Sequence, residues 1–267
     1  MGIINITPDS FSDGGKFLST ESAVAQGEKL VQEGADILDI GGESTRPFAT
    51  AVSKESELRR VLPVIEKLAA SVNIPISIDT TKAGVASQAI EAGASIINDI
   101  SAMRDDPEMA GVVKKNKVPI ILMHMQGTPK NMQINPSYAD LLAEIKLFLA
   151  QAVEKAVQNG IKRSQIIIDP GIGFGKTVYH NLLLLKNLKK LSEFDLPILI
   201  GSSRKAFIRD LIKPETQKIM EPLRPEVKTG TQATLAAAVL NGAQLVRVHD
   251  VAETVITLKI IDAIKGA

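Results

Sequence analysis

Short apolar runs recur eight times along this chain of 267 residues, and stretches with helical periodicity separate them. The runs cover residues 2–6, 37–40, 76–78, 96–97, 119–123, 166–168, 197–200 and 245–248. This alternation is typical of a parallel sheet that helices cover on both faces. Eight such units predict an α/β fold, a (β/α)8 barrel that forms a single domain over residues 1–267. A doubly wound open sheet is the alternative architecture.

Helix-length stretches with apolar residues at spacings of three and four lie between the runs, as at residues 55–70, 83–92, 141–157 and 233–240. Four glycines each follow such a stretch and precede a strand by a few residues: Gly34, Gly93, Gly160 and Gly242. A helix commonly ends in a left-handed residue, and glycine adopts that conformation without steric cost. The four positions therefore indicate a repeated strand and helix unit.

The composition favours a site for a small molecule. Lysine and arginine number 31 against 30 aspartates and glutamates, so we expect no nucleic-acid or membrane partner. The absence of cysteine excludes disulfides, thiolate metal sites and cysteine nucleophiles. The sequence has neither an uninterrupted apolar stretch of about 18 residues nor the pattern of a signal peptide. We therefore expect a cytoplasmic protein.

Polar side chains close nearly every apolar run, where a barrel of this type places its catalytic groups. They are Asn5, Asp39, Asp79, Asn98, Asp99, His124, Asp169, residues 202–205, Arg247, His249 and Asp250. A single residue of this kind commonly caps the following helix. Charges of both signs on one rim instead indicate a binding site, because a buried charge needs a partner or a ligand.

The chemistry of this set indicates a ligand with two different ends. The carboxylates of Asp79 and Asp169 can accept paired N–H bonds from a planar amino-pyrimidinone edge such as that of a pterin. Asn98 offers both a donor and an acceptor. Lys205, Arg247 and His249 offer positive charge and hydrogen-bond donors for an anion such as diphosphate.

Two glycine-containing segments have simpler interpretations. Gly171, Gly173 and Gly175 lack the spacing of a dinucleotide-binding motif, so we predict a tight loop after a strand. The small residues of segment 230–238 predict a helix that packs closely, either against the barrel or against another subunit.

Long motifs on the strand ends resemble those of the dihydropteroate synthase family. They are GIINITPDSFSDGG at 2–15, DIGGESTRP at 39–47, SIDT at 77–80, IINDIS at 96–101, LMHMQG at 122–127, DPGIGFGK at 169–176, SRK at 203–205 and RVHD at 247–250. The resemblance spans the chain and implies a TIM-barrel transferase of folate biosynthesis. Such an enzyme joins 6-hydroxymethyl-7,8-dihydropterin diphosphate to p-aminobenzoate, giving 7,8-dihydropteroate and diphosphate, and its p-aminobenzoate pocket is the sulfonamide target.

The resemblance also implies the roles of individual residues. The matching pterin-binding positions are Asp79, Asn98, Met123, Asp169, Phe174, Gly201 and Lys205. The matching diphosphate-binding positions are Asn5, Arg46, Arg247 and His249, and Asn5 also helps to ligate the expected cofactor, Mg2+. The matching positions of the p-aminobenzoate pocket are Phe11, Thr45, Pro47, Lys205 and Ala206. The catalytic set is Asp79, Lys205, Asn5, Arg247 and His249, and diphosphate is expected to leave before the amine attacks.

Several features depart from the family pattern. Ala206 stands where the family commonly has a serine, Phe48 replaces a glycine, and residues 213–228 predict a long, charged surface loop. The chain begins on its first strand without the N-terminal hairpin usual in the family, so one hypothesis is the synthase portion of a longer fused folate enzyme. The family implies a homodimer. Two other functions stay open, a methyltetrahydrofolate-dependent methyltransferase and a catalytically silent binding subunit.

Overall fold

The structure is a computed structural model that describes residues 1–6, 20–46, 49–214, 216 and 219–267. Within these residues, each strand is followed by one α-helix, except that two follow β7. The strands are β1 Gly2–Asn5, β2 Leu38–Gly41, β3 Ile76–Asp79, β4 Ile96–Asp99, β5 Ile120–Met123, β6 Ile166–Asp169, β7 Leu199–Ile200 and β8 Leu245–Val246. The helices are α1 Thr20–Gln32, α2 Lys54–Ser71, α3 Ala83–Glu91, α4 Met109–Asn116, α5 Leu141–Gln158, α6 Val178–Lys186, α7 Ala206–Ile212, α8 Pro225–Leu240 and α9 Val251–Gly266.

All strand pairings are parallel and follow the order of the chain. Strands β1 to β6 form one sheet, and β7 pairs with β8. Isolated parallel bridges join Ile168 to Ile198 and Gly2 to Val248, which link the two sheets at both edges. The strands therefore have the cyclic order of a (β/α)8 barrel, so the predicted fold is confirmed and the open-sheet alternative is wrong.

The helices pack on the barrel through apolar faces. Helix α2 shows the pattern: Val61, Val64, Ile65 and Leu68 are buried at spacings of three and four. Ser53 is the N-cap of this helix, and its side chain accepts a hydrogen bond from the backbone N–H of Ser56. The strands of the barrel have side chains buried on both faces, so their carboxyl ends are the part that is free for chemistry. The polar residues lie at these ends.

The four glycines predicted to end helices do adopt left-handed backbone. Their φ angles are 98° at Gly34, 117° at Gly93, 87° at Gly160 and 105° at Gly242. At Gly93 an added Cβ would also lie 2.5 Å from the Cβ of Ala69. These positions confirm the repeated unit that the sequence predicted.

The predicted loop at 213–228 is wrong at its C-terminal end. Helix α8 begins at Pro225, so the last four residues of that segment form its first turn. Proline at the first helical position has a suitable φ and loses no hydrogen bond there. The small-residue segment 230–238 lies in α8, where Leu235 and Ala238 are buried. In the described part of the chain, no helix is both long and apolar enough to cross a membrane.

Candidate active site

The first strands bring their polar ends to one level of the rim. Asn5 is in register with Gly41, Gly41 with Asp79, and Asp79 with Asn98. A Cβ placed on Gly41 would lie 3.7 Å from Asp79 Oδ2 and 3.8 Å from Asn5 Oδ1. The side chains of Asn5 and Asp79 therefore flank Gly41 on its two sides.

Arg247, which follows β8, contacts acidic side chains on β2 and β3. Its Nε donates to Asp39 Oδ2 at 2.5 Å, and its Nη2 donates to Asp79 Oδ2 at 2.7 Å. Asn98 Nδ2 donates to the same Asp39 oxygen at 3.2 Å. Burial alone would lower the pKa of Arg247, but Asp39 and Asp79 raise it above its ordinary value, so the guanidinium stays charged.

The two carboxylates assigned to pterin binding ionise near neutral pH. Burial raises the pKa of Asp79 to about 7, although Arg247 acts against this shift and Asp39 adds to it. Burial raises the pKa of Asp169 to about 6, opposed by a hydrogen bond of 2.7 Å from the backbone N–H of Gly171. Each side chain can therefore change its protonation state at little cost.

Lys205 lies over an apolar wall beside these acids. Its Nζ is 4.0 Å from the centroid of the Phe174 ring. Phe174 packs in one buried cluster with Met123, Ile100, Met125 and Met132. Burial, followed by the charge of Arg247, lowers the pKa of Lys205 to about 8. A planar ligand at this wall would meet a thioether, an aromatic ring and an ammonium group.

His249 differs from the expectation of a positive charge. Burial and the neighbouring arginines Arg204 and Arg247 lower its pKa to about 3, so the ring is neutral. Ser203 Oγ accepts from the backbone N–H of His249 at 3.2 Å and lies 3.0 Å from its Nδ1. In the tautomer in which this hydroxyl donates to Nδ1, the ring proton lies on Nε2. His249 offers a neutral donor to an anion, and Arg247 and Lys205 carry the charge.

The two cationic side chains of the loop after β7 have different partners. Arg204 forms a bidentate pair with Asp250, at 2.9 Å from Nε and 2.6 Å from Nη2. Lys205, the next residue, turns to Phe174 instead. Gly201 lies beside Arg247, since a Cβ there would be 3.8 Å from the Cβ of Arg247. Asp250 therefore has a structural partner, whereas Lys205 is directed to the rim.

The predicted tight loop after β6 is held by a buried lysine. Lys176 Nζ lies 3.0 Å from His124 Nδ1 and donates to the carbonyl of Phe174 at 2.9 Å. Burial lowers the pKa of His124 to about 2 and that of Lys176 to about 7. A Cβ on Gly171 would lie 1.9 Å from the carbonyl oxygen of His124, so only glycine fits there. This packing fixes the position of Phe174.

A cavity of about 600 Å³ opens beside Asp79. The loops that follow β2, β3, β4 and β5 line it, with Thr45, Thr80, Lys82, Ile100 and Thr128 among the contributing residues. This volume suits a ligand of small-molecule size.

The residues assigned to the p-aminobenzoate pocket lie less close together than those assigned to the pterin. Thr45 lines the cavity, whereas Ala206 is exposed at the first position of α7. Arg46, assigned to diphosphate, has an exposed side chain, and its backbone N–H lies 3.4 Å from Ser44 Oγ. Phe11, Pro47 and Phe48 lie outside the described residues.

The described residues contain no cluster of three or more His, Cys, Asp or Glu side chains that could hold a metal. A magnesium ion bound to a phosphate group usually takes only one or two protein ligands and fills its other positions with phosphate oxygens and water. The amide oxygen of Asn5, across Gly41 from Asp79, fits that limited requirement.

Asp39, Ser203 and Lys176 support the site, although the sequence analysis assigned no individual role to any of them. Asp39 is wholly buried between apolar neighbours in β2, a position where a charge requires a partner. That signal indicates an ion pair but does not identify Arg247 as the other member. The roles of Ser203 and Lys176 depend on contacts across 46 and 52 positions of the chain.

Comparison with known proteins identifies the family of this chain. Residues 1–249 match the family described as pterin binding enzyme. Dihydropteroate synthase of Synechocystis sp. is 47% identical over 265 residues, covering 99% of this chain and 89% of the relative. This similarity to dihydropteroate synthase contradicts the alternative of a methyltransferase.

Solved structures agree in fold along the whole chain. Yersinia pestis dihydropteroate synthase in complex with a sulfonamide drug has a TM-score of 0.93 and 42% identity, covering 100% of this chain and 94% of that one. Xanthomonas albilineans dihydropteroate synthase in complex with 7,8-dihydropteroate has a TM-score of 0.88 and 43% identity, covering 100% and 93%. In sequence and fold, this chain belongs to the dihydropteroate synthase family of pterin-binding enzymes.

Proposed function

We propose that this protein condenses 6-hydroxymethyl-7,8-dihydropterin diphosphate with p-aminobenzoate to form 7,8-dihydropteroate and diphosphate in folate biosynthesis. The observation that carries the proposal is the grouping of Asp79, Asp169 and Lys205 around an apolar wall at the barrel mouth. The relative from Xanthomonas albilineans holds 7,8-dihydropteroate, which is the product of this reaction.

The pterin is proposed to bind between the acids and the wall. Asp169 accepts N–H bonds from the amino-pyrimidinone edge, and Asn98 supplies a donor and an acceptor. Lys205 donates to the opposite heteroatoms, while Met123 and Phe174 contact the ring. Gly201 completes the site beside Arg247.

Diphosphate is proposed to leave before the amine attacks. Arg247 and Lys205 balance the charge of the departing anion, and His249 donates from Nε2. The carboxylate of Asp79 offsets the positive charge that develops on the pterin. The weakly basic aryl amine then attacks the methylene carbon, so no nucleophilic side chain is needed.

Mg2+ is the proposed cofactor, and Asn5 is its proposed protein ligand. When bound, the ion would neutralise part of the diphosphate charge. Asn5 would hold it through the side-chain oxygen, and Arg46 would assist at the diphosphate.

The p-aminobenzoate pocket is proposed to include Lys205, Ala206 and Thr45, with Phe11 and Pro47 outside the described residues. Ala206 lacks the hydroxyl common in the family. We therefore expect weaker affinity for the p-aminobenzoate carboxylate and not a loss of activity.

An assay of the purified protein tests the reaction. With pterin-methyl diphosphate, p-aminobenzoate and Mg2+, dihydropteroate and diphosphate are expected to form in equal amounts. No product under any metal condition would support the catalytically silent subunit instead.

The pH profile of kcat/KM for the pterin diphosphate is expected to be bell-shaped. Its acid limb should lie near pH 7, since the Asp79 carboxylate forms as the pH rises through its pKa of about 7. Its alkaline limb should lie near pH 8, where Lys205 loses its proton because its pKa is about 8.

Two variants assign these limbs. The residual activity of Asp79→Asn should no longer fall below about pH 7. Lys205→Arg should move the alkaline limb above about pH 9. An unchanged acid limb in Asp79→Asn would assign that limb to another group, for which Asp169 is the first candidate.

We also propose a cytoplasmic homodimer. Ile256, Ile260 and Ile264 lie four residues apart on α9, with exposed fractions of 65%, 60% and 62%. They form one apolar stripe, and a stripe of this kind is typical of a surface that a second copy covers. The cysteine-free sequence suits a reducing compartment.

Ile260→Lys is expected to convert the dimer to monomers, because it places a charge in the middle of the stripe. Light scattering after size-exclusion chromatography measures the mass. Lys259→Ala, on the same helix, is the control and should leave the mass unchanged. A wild-type monomer at micromolar concentration would contradict the proposed dimer.

A further inference from the structure

An ion cluster joins three elements next to the 600 Å³ cavity. Lys82, in the turn between β3 and α3, contacts Glu43 in the loop after β2. Its Nζ also lies 2.6 Å from Oε2 of Glu57 in α2. Glu57 is completely buried, whereas Lys82 and Glu43 are about one quarter exposed, at 26% and 23%. The cluster therefore links the surface of the cavity to the packed side of α2.

Charge balance holds the three side chains of this cluster together. A buried glutamate without a partner is strongly unfavourable, and Lys82 is the cation that compensates Glu57. Burial would lower the pKa of Lys82, but its hydrogen bonds to Glu43 and Glu57 raise the pKa above its ordinary value. Lys82 therefore stays charged in the folded protein and holds both carboxylates.

Glu43 also ties together the ends of its own loop. Its Oε1 accepts a hydrogen bond of 2.9 Å from the backbone N–H of Val52, nine positions later. Arg60 of α2 donates to the carbonyl of Gly42 at 2.7 Å. A Cβ on Gly42 would lie 2.8 Å from Val61 Cγ1, so the start of the loop rests directly on α2.

The same loop forms one wall of the cavity. Ser44, Thr45 and residues 49–51 line it from this side, and Asp79 and Lys82 line it from β3 and the following turn. A shift of Glu43 would move this wall relative to Asp79. The wall carries Thr45, one of the residues assigned to p-aminobenzoate.

We propose that Glu43, Lys82 and Glu57 are positioning residues that fix the two described ends of the loop after β2, residues 43–46 and 49–52, and thereby set the p-aminobenzoate side of the site. This inference rests on the proposed synthase function. None of the three is proposed to touch the reacting atoms. Their removal should therefore change the binding of the second substrate more than the chemical step.

Glu43→Gln is the main test, because it removes the charge and keeps an oxygen that accepts from Val52. We expect KM for p-aminobenzoate to rise about tenfold, with kcat and KM for the pterin diphosphate changed less than about threefold. The inhibition constant of a sulfonamide should rise in parallel. Lys67→Met is the control and should give wild-type constants, since Lys67 lies on the exposed side of α2 and pairs with Glu21 of α1.

Lys82 provides a second test. Lys82→Met leaves Glu57 uncompensated and is expected to lower the melting temperature, so it is paired with Lys82→Met/Glu57→Gln, which removes both charges. The double variant should regain stability and keep the raised KM. Lys82→Arg should restore most of the affinity for p-aminobenzoate.

The outcomes separate the two proposals. A wild-type protein without synthase activity overturns the proposed function. An active wild type whose Glu43→Gln variant keeps the wild-type KM overturns the positioning role. A fall in kcat with no change in KM for either substrate also overturns it.

Discussion

The Asp79→Asn variant is expected to lose about a hundredfold in kcat, equivalent to roughly 3 kcal/mol in the barrier. Asparagine has the shape of aspartate but carries no charge, so it cannot offset the positive charge on the pterin as diphosphate leaves. Asp79 is 8% exposed, and in such a place the missing charge is poorly replaced by water.

The fold is expected to survive this change. Burial already raises the pKa of Asp79 to about 7, so the uncharged form is well populated at neutral pH. Arg247 keeps its bond of 2.5 Å to Asp39 when Asp79 is neutral. The melting temperature should therefore change by only a few degrees, roughly, as for an ordinary substitution.

Steady-state kinetics with both substrates and circular dichroism measure these two effects together. Asp262→Asn, an exposed site on α9, is the matched control and should behave as wild type. A wild-type kcat in Asp79→Asn would remove Asp79 from the mechanism. A loss confined to KM would leave it a role in pterin binding alone.

The sequence predicted the barrel well because its strands are buried on both faces. Such strands must be continuous apolar runs, and even the two-residue run at 96–97 marks a real strand, Ile96–Asp99. The rim residues follow from the same argument, since the first polar residue after each run stands at the carboxyl end of its strand. Asn5, Asp79 and Asn98 were located in this way.

The pairing of the rim charges was not predictable from the sequence. Asp39 and Arg247 are 208 positions apart, and only the closed order of the strands brings them together. The charge state of His249 was also missed, because it depends on burial and on Arg204 and Arg247 nearby. Local pattern indicates which residues reach the rim, whereas tertiary structure decides which of them neutralise one another.

Arg247→Met is expected to destabilise the fold by roughly 3–5 kcal/mol, because Asp39 and Asp79 would lose the cation that both contact. For a chain of this size, this corresponds to a fall of about 10 °C in the melting temperature. The variant should also lose at least about a hundredfold in kcat/KM for the pterin diphosphate, since one proposed cationic contact to the anion is removed.

The pH dependence of this loss identifies its cause. Burial already raises the pKa of Asp79 to about 7, and without Arg247 its charge has no cation beside it, so protonation of Asp79 removes this penalty as the pH falls. The difference in melting temperature between wild type and Arg247→Met should therefore shrink from pH 8 to pH 5. A difference that is constant across this range would indicate lost packing of the arginine stem instead.

A second substitution checks the same explanation at fixed pH. Arg247→Met/Asp39→Asn removes one of the two uncompensated charges and should recover part of the stability without recovering activity. Lys146→Met breaks the surface pair with Glu193, and its effect should stay below about 1 kcal/mol. If the double variant were no more stable than Arg247→Met, the carboxylate of Asp39 would not be the source of the instability. Recovery of stability without activity is the result expected if Arg247 both neutralises the rim acids and binds the diphosphate, since one side chain that contacts Asp39 on β2 and Asp79 on β3 would then have both roles.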